Sequence, residues 1–333
     1  MRRTGRRRRS NIKHETVADW RNVLKALVTG GAGFIGSALC EALIQSGNSV
    51  AVVDDLSTGH ESNLHSRVEF LEGSVCDADL MAHAVRGCDI VYHLAAIVDV
   101  AKTFREPSRT TLVNVGGTVT SLEAARREGI SRFVFASSAA VYGATTSLPI
   151  DEFDALSPMS PYAASKLAGE TYAAMFSQVH RMSTISLRLF NVFGPKQRFD
   201  EQYAAVVPSL IQQAQSTGSV DIHGSGDQTR DFIFIDDVVK ALRSASMRQT
   251  PRVSGTVFNV GSGSETSVME LSLEVFRLLG LRPQFSFSVR RESDLDRSCA
   301  DVARASSVLD WKPEVDWRSG LARTVYQWQT PDV

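Results

Sequence analysis

Tyr162 and Lys166 sit four residues apart in Pro161-Tyr162-Ala163-Ala164-Ser165-Lys166-Leu167-Ala168-Gly169-Glu170. The run begins like a helix, with proline just before its first turn. That spacing stacks both side chains on one helical face. A free phenol, with a pKa of about 10, is a poor base at neutral pH. An ammonium beside it favours the phenolate and brings the group into acid–base range. The second chemical signal is Val28-Thr29-Gly30-Gly31-Ala32-Gly33-Phe34-Ile35-Gly36, with Asp54 downstream. Glycines permit a tight strand–helix turn and let backbone N–H groups approach a pyrophosphate, where a helix N-terminus supplies positive partial charge. Asp54 stands where an acid bonds a ribose 2′-hydroxyl, and its charge would repel the extra phosphate of NADP. The implied cofactor is NAD. Alone, Tyr-x-x-x-Lys suits any amphipathic helix; behind a dinucleotide cradle it reads as a proton-transfer pair.

The elements that must position these residues alternate through the first half of the chain. Apolar strands are predicted at Lys25–Thr29, Ser49–Val53, Val68–Leu71, Ile90–Leu94, Phe133–Ser137 and Thr184–Leu189. Helices are predicted at Phe34–Ser46, Asp79–Val85, Arg109–Glu128 and Tyr162–Val179. Such alternation implies an α/β fold, a Rossmann-type doubly wound parallel sheet wrapped by helices. Ligands of such sheets lie beyond the carboxyl ends of the strands. Ser138 follows one predicted strand and Asn191 another, so both can face that crevice. Beyond Leu189 the pattern loosens into segments rich in Gly, Ser, Pro and charge. The expected organisation is a basic tail over 1–20, an NAD-binding core over 21–190, and 191–333 as a smaller, mainly substrate-binding lobe with segments returning to the core.

A chain of 333 residues is ample for a buried core. Its four cysteines, Cys40, Cys76, Cys88 and Cys299, form no Cys-x-x-Cys pair, and its seven histidines are scattered. The reading is structural thiols in a reducing cytoplasm and no metal centre. No apolar run reaches membrane-spanning length, so no membrane is implied. Net charge is −1 overall, yet Arg2, Arg3, Arg6, Arg7, Arg8 and Arg9 crowd the first ten residues. No apolar stretch follows this run, so it does not read as an export signal. The body shows no basic face with interleaved aromatics, so no nucleic-acid partner is implied, and the tail reads as solvated and disordered.

Further landmarks recur in order: Asp54-Asp55-Leu56, His93-Leu94-Ala95-Ala96, Asn114, Ser137-Ser138-Ala139-Ala140-Val141-Tyr142-Gly143, Arg188-Leu189-Phe190-Asn191-Val192-Phe193-Gly194-Pro195, Gly226-Asp227-Gln228-Thr229-Arg230-Asp231-Phe232, and Arg291 with Asp294. With the two motifs above they resemble an extended short-chain dehydrogenase/reductase of the NAD-dependent sugar epimerase/dehydratase family. The likeness is greatest to its UDP-hexose 4-epimerases and runs from Lys25 to Trp328.

The resemblance implies that Tyr162 takes the sugar 4′-hydroxyl proton while the C4′ hydride passes to NAD, and that hydride returns to the other face of the 4-keto sugar. It implies that Lys166 holds the nicotinamide ribose and tunes Tyr162, and that Ser138, with Ser137 beside it, bonds the reacting oxygen. Gly30, Gly33, Phe34, Ile35, Gly36, Asp54, Ser74, Val75, Leu94, Ala95, Ala96, Asn114, Tyr162 and Lys166 are the implied cofactor residues. Ser138, Asn191, Arg198, Arg230, Arg291, Asp294 and Ser298 are the implied substrate residues, with arginine forks suited to the diphosphate. His93 reads as a satisfied core histidine.

Ala139-Ala140 narrows the reaction. Related 4,6-dehydratases place an Asp-Glu pair there, and elimination of water needs such carboxyl groups, which methyls cannot supply. Ser298 matches the position whose size gates N-acetyl hexosamines, so UDP-glucose and UDP-N-acetylglucosamine both fit. Arg198 raises UDP-glucuronate, although Ala139 and Ala140 offer a carboxylate nothing. A nucleotide-sugar dehydratase or decarboxylase and a non-catalytic NAD sensor are the remaining classes. Gly73-Ser74-Val75 departs from the usual Gly-Asp-Ile or Gly-Asp-Val, and Glu292-Ser293-Asp294 has serine where glycine is usual. A homodimer is expected through the helices Arg109–Glu128 and Tyr162–Val179, with Ala163, Ala164, Ala168, Ala173 and Ala174 permitting close packing.

Overall fold

A computed structural model describes residues 23–145, 147–197, 205–248, 253–290 and 295–330. The expected basic tail lies outside the described residues. β1 (Lys25–Thr29), β2 (Ser49–Asp54), β3 (Glu69–Glu72), β4 (Ile90–His93), β5 (Arg132–Ser138) and β6 (Ser183–Leu189) fall within a residue or two of the predicted runs. The later strands β7 (Asn191–Phe193), β8 (Val220–His223), β9 (Thr229–Arg230) and β10 (Phe232–Phe234) are short. β11 (Thr256–Val260) is longer, and β12 (Thr266–Ser267) and β13 (Phe285–Ser288) follow. One parallel sheet has the order β11-β6-β5-β4-β1-β2-β3. The order reverses between β1 and β4, and a crevice opens there at the carboxyl ends.

Alternating side chains build a core on each face of the sheet. In β1, Ala26 and Val28 join Leu39, Leu43 and Val52, whereas Leu27 joins Leu122, Phe133 and Val91. The helices are α1 (Phe34–Gln45), α2 (Ala78–Ala84), α3 (Val100–Arg105), α4 (Pro107–Thr110), α5 (Gly117–Glu128) and α6 (Pro161–His180). Then come α7 (Val206–Thr217), α8 (Ile235–Met247), α9 (Val268–Leu279), α10 (Ala303–Leu309) and α11 (Trp317–Gln329). No helix among the described residues is long and apolar enough to cross a membrane.

Two departures from the sequence expectation have physical causes. The single helix expected over Arg109–Glu128 is broken, because Thr111–Gly116 forms a wide π turn between α4 and α5. Such turns cluster at functional sites, and this one carries the buried Asn114. Gly117 opens the next stretch where a Cβ would stand 2.5 Å from Val75 Cγ2. Beyond Leu189 the chain is richer in helix than its composition suggested. In α8 the buried Val238, Val239, Ala241, Leu242 and Ala245 keep helical spacing, and β11 returns to extend the main sheet beside β6.

Candidate active site

At the end of β1 the chain turns at Gly30 with φ +71°, a conformation that glycine adopts without steric cost. The loop is crowded by backbone. A Cβ at Gly30 would stand 2.8 Å from the Ala95 nitrogen, and one at Gly36 2.1 Å from the Gly30 carbonyl oxygen. Gly33 is the N-cap of α1, and neither a side-chain cap nor an acid occupies the first turn that Phe34 and Ile35 begin. The positive end of the helix is thus kept for an anion. Asp54, buried at the end of β2, accepts the Ala32 N–H at Oδ2 and the Leu56 N–H at Oδ1, both at 2.9 Å. Burial raises its pKa, and those two N–H groups oppose the rise. Each oxygen keeps acceptor capacity for a ribose hydroxyl. A cradle that any Cβ would fill, an uncapped helix end and an acid on β2 fit NAD.

A chain of hydrogen bonds ties this loop to the proton-transfer helix. The Leu94 and Ala95 N–H groups donate to Thr29 Oγ1 at 3.2 and 3.3 Å, and that hydroxyl meets His93 Nδ1 at 2.8 Å. His93 Nε2 meets Thr118 Oγ1 at 3.0 Å, and the Thr118 proton goes to the Asn114 carbonyl at 2.6 Å. Thr118 therefore accepts from Nε2–H, which fixes the neutral tautomer. Burial pushes His93 down to about 3, so it is a fully satisfied core histidine. Asn114 is also turned inward. Its Oδ1 accepts the Ile97 N–H at 2.7 Å, while Nδ2 donates to the Ile97 carbonyl at 3.0 Å and to Ser165 Oγ at 2.9 Å. Ser165 Oγ donates in turn to the Tyr162 carbonyl at 2.7 Å. Asn114 thus clamps the loop after β4, which carries Leu94, Ala95 and Ala96, to α6. Ser74 Oγ accepts the Cys76 N–H at 3.2 Å, and Val75 is buried.

α6 begins with Pro161, and Ser160 caps it by accepting the Ala163 N–H at 3.1 Å. Lys166 is buried, with Nζ donating to the Ala136 carbonyl at 2.8 Å and standing 5.8 Å from the centre of the Tyr162 ring. Burial lowers its pKa to about 8, against the pull of Glu170. Ser138 ends β5 and accepts the Ala140 N–H at 3.2 Å, so its own proton remains available to a ligand oxygen. Ser138 is in register with Leu189, and Leu189 with Val260. Ser138 at the carboxyl end of its strand, and Asn191 and Ser262 just past the ends of β6 and β11, therefore stand at the same edge of the sheet.

Asp231 knits that end together. Its buried carboxylate accepts the N–H groups of Ser262, Gly263 and Ala300 at 2.6, 3.0 and 3.0 Å, and the Ser262 hydroxyl at 2.8 Å. Its carbonyl accepts Asn191 Nδ2 at 3.1 Å. Arg230, next in the chain, donates to the Thr229 and Leu295 carbonyls at 2.8 Å, and Ser298 is buried two residues before Ala300. The segments carrying Asn191, Arg230 and Ser298 thus meet around one carboxylate. Arg198, Arg291 and Asp294 lie outside the described residues.

The sequence reading passed over Glu170, one helical turn beyond Lys166. Its Oε1 accepts Arg188 Nε at 2.9 Å and Ser137 Oγ at 2.5 Å, and its Oε2 accepts Arg188 Nη2 at 2.7 Å. Arg188 Nη1 donates to the Glu152 carbonyl at 3.1 Å, and the guanidinium lies 4.7 Å from the centre of the Tyr142 ring. The even spacing of Tyr162, Lys166 and Glu170 was the available signal.

Comparisons with known proteins agree with this geometry. Residues 26–261 match the model of the NAD dependent epimerase/dehydratase family. A UDP-glucose 4-epimerase of Mycolicibacterium smegmatis is 39% identical over 310 residues, covering 91% of this chain and 97% of that protein. The structure of a Thermotoga maritima UDP-glucose 4-epimerase with UDP-glucose superposes with a TM-score of 0.88 at 33% identity, over 92% of this chain and 99% of that one. A UDP-N-acetylglucosamine 4-epimerase from Methanobrevibacter ruminantium, in complex with UDP-N-acetylmuramic acid, gives a TM-score of 0.87 at 32% identity, over 92% and 99%. A glycine cradle, a buried lysine beside a tyrosine and a serine at the sheet's carboxyl end are thus joined by a family match that spans all three: the chain belongs to the NAD dependent epimerase/dehydratase family.

Proposed function

We propose that UDP-glucose or UDP-N-acetylglucosamine is the substrate of this UDP-sugar 4-epimerase, an NAD-dependent isomerase. The observation that carries the reading is the end of β5. Ser138 presents a hydroxyl proton there, while Ala139 and Ala140 place methyls where elimination would need carboxyl groups. NAD, when bound at the glycine cradle, supplies a hydride acceptor that can return what it takes. Tyr162 removes the 4′-hydroxyl proton, and the Lys166 ammonium favours its phenolate. Ser138 donates to the C4′ oxygen and polarises the ketone. We assign Asn191 and Arg230 to the nucleotide, and Arg198, Arg291, Asp294 and Ser298 to the same substrate end. The small Ser298 leaves room for an N-acetyl group.

The test is kcat/KM for UDP-glucose, UDP-N-acetylglucosamine and UDP-glucuronate. The two neutral sugars are expected to lead. A hundredfold preference for UDP-glucuronate, about 2.7 kcal/mol, would overturn the substrate choice, and loss of that preference in Arg198→Ala would name its cause.

We also propose a homodimer in the cytoplasm. Four unpaired cysteines, three of them buried, fit a reducing compartment. Phe104 and Leu112 are more than half exposed, and Tyr172 of α6 is exposed as well, apolar side chains that a second copy could cover. Of the expected small residues, Ala163 and Ala173 are spent inside the protomer, at 1% exposure each, whereas Ala164 is exposed. Neighbouring alanines of α6 do not share a face, because only residues three and four apart do. Light scattering is expected to give twice the chain mass at micromolar concentration; a monomer throughout that range would reject the dimer.

A further inference from the structure

Behind the proton-transfer pair lies a buried ionic unit that the proposed chemistry does not use. Tyr162, Lys166 and Glu170 follow one another at four-residue spacing on α6, so the three side chains share one face. The Glu170 carboxylate is bound at both oxygens, by the Arg188 fork from β6 and by Ser137 from β5. Lys166 in turn reaches the carbonyl of Ala136, the residue before Ser137. Two consecutive residues of β5, immediately ahead of Ser138, are therefore fastened to two consecutive turns of α6.

We propose that Glu170 is a positioning residue for the reaction: held by Arg188 and Ser137, it fixes the register between α6 and the end of β5 and keeps the Lys166 ammonium seated beside Tyr162. This inference rests on the assignment of Tyr162 and Lys166 above. Among the described residues, the charged and titratable groups around Lys166 are few. Tyr162 and Glu170 share its helix. His93 of β4 is neutral, Arg188 of β6 is engaged by Glu170, and Tyr142 lies against Arg188. Glu170 is thus the anion that opposes the loss of the Lys166 proton, and burial favours that loss. A carboxylate at this place preserves the ammonium that the phenolate needs. Its bond to Ser137 ties the same charge to the strand carrying Ser138.

The experiment is the pH profile of kcat for wild type, Glu170→Gln and Glu170→Asp, with NAD affinity and far-UV spectra recorded for each. Glu170→Gln keeps the shape and removes the charge, so Lys166 loses its proton at lower pH. The alkaline limb of the profile is expected to move down by about one pH unit. Glu170→Asp keeps the charge and is expected to hold the limb at its wild-type position, even where turnover falls. Should Glu170→Gln fail to fold, the double variant Glu170→Met/Arg188→Met replaces the pair by apolar side chains, an exchange that proteins often tolerate. The limb is expected to move there too. A folded variant without the carboxylate whose limb stays in place, with only a uniform drop in rate, would overturn the inference. So would a Glu170→Asp limb that moves as far as that of Glu170→Gln. An inactive wild type, by contrast, would overturn the assigned chemistry instead.

Discussion

Tyr162→Phe is expected to lower turnover by about 10²–10⁴, the range typical of a positioned acid–base group, or about 2.7–5.5 kcal/mol in the barrier. The change removes one hydroxyl and no packing. Lys166 keeps its bond to the Ala136 carbonyl, and the glycine turn is held by backbone contacts that the substitution does not touch, such as Gly30 N–H to the Val53 carbonyl at 2.8 Å. NAD affinity is therefore expected to stay within a few-fold of wild type. Steady-state rates together with a cofactor titration check both halves. Near-normal turnover would remove Tyr162 as the base, and loss of NAD binding would make its role structural.

The largest expected effect on stability comes from Arg188→Met. Arg188 and Glu170 are each about 5% exposed or less, and the arginine also serves the Glu152 carbonyl and covers Tyr142. Removing one member of a buried pair leaves an uncompensated charge and costs about 3–5 kcal/mol. Denaturant unfolding at neutral pH reads this as a lower midpoint with an unchanged slope. The double variant Glu170→Met/Arg188→Met is expected to recover much of the loss, because neither charge is then stranded. A single variant within about 1 kcal/mol of wild type would show that the site is open to water.

Much of the nucleotide end was legible because it is written in local signals. Strand, glycine turn and acid follow one another within thirty residues, and alternating burial in β1 obeys the sheet period. Ser138 was legible as a residue at a strand's end. Its capping bond to the Ala140 N–H, which spends a lone pair and spares the proton, depends on the turn that follows and could not be read ahead. Asn114 is assigned to the cofactor by motif, but the bonds of its amide to Ile97 and Ser165 could not be read ahead. Those partners lie 17 and 51 residues away, separations that no local pattern encodes. Glu170 was overlooked for the same reason, since a glutamate on a helix reads as a solvated face until the sheet brings Arg188 against it. The helices beyond Leu189 were masked by the glycines and serines between them, although α8 carries an apolar stripe of helical spacing.

The central claim is inversion at C4′ with no net change in composition. The most direct measurement incubates the protein with NAD and either UDP-glucose or UDP-N-acetylglucosamine, then resolves the products by mass and by proton NMR couplings at C4′. The account predicts an equilibrium mixture of two sugars of unchanged mass differing only in configuration at C4′, formed by wild type and lost in Tyr162→Phe. A product lighter by roughly 18 or 44 mass units, as expected for loss of water or carbon dioxide, would contradict it, as would unaltered substrate in the presence of folded, NAD-bound protein.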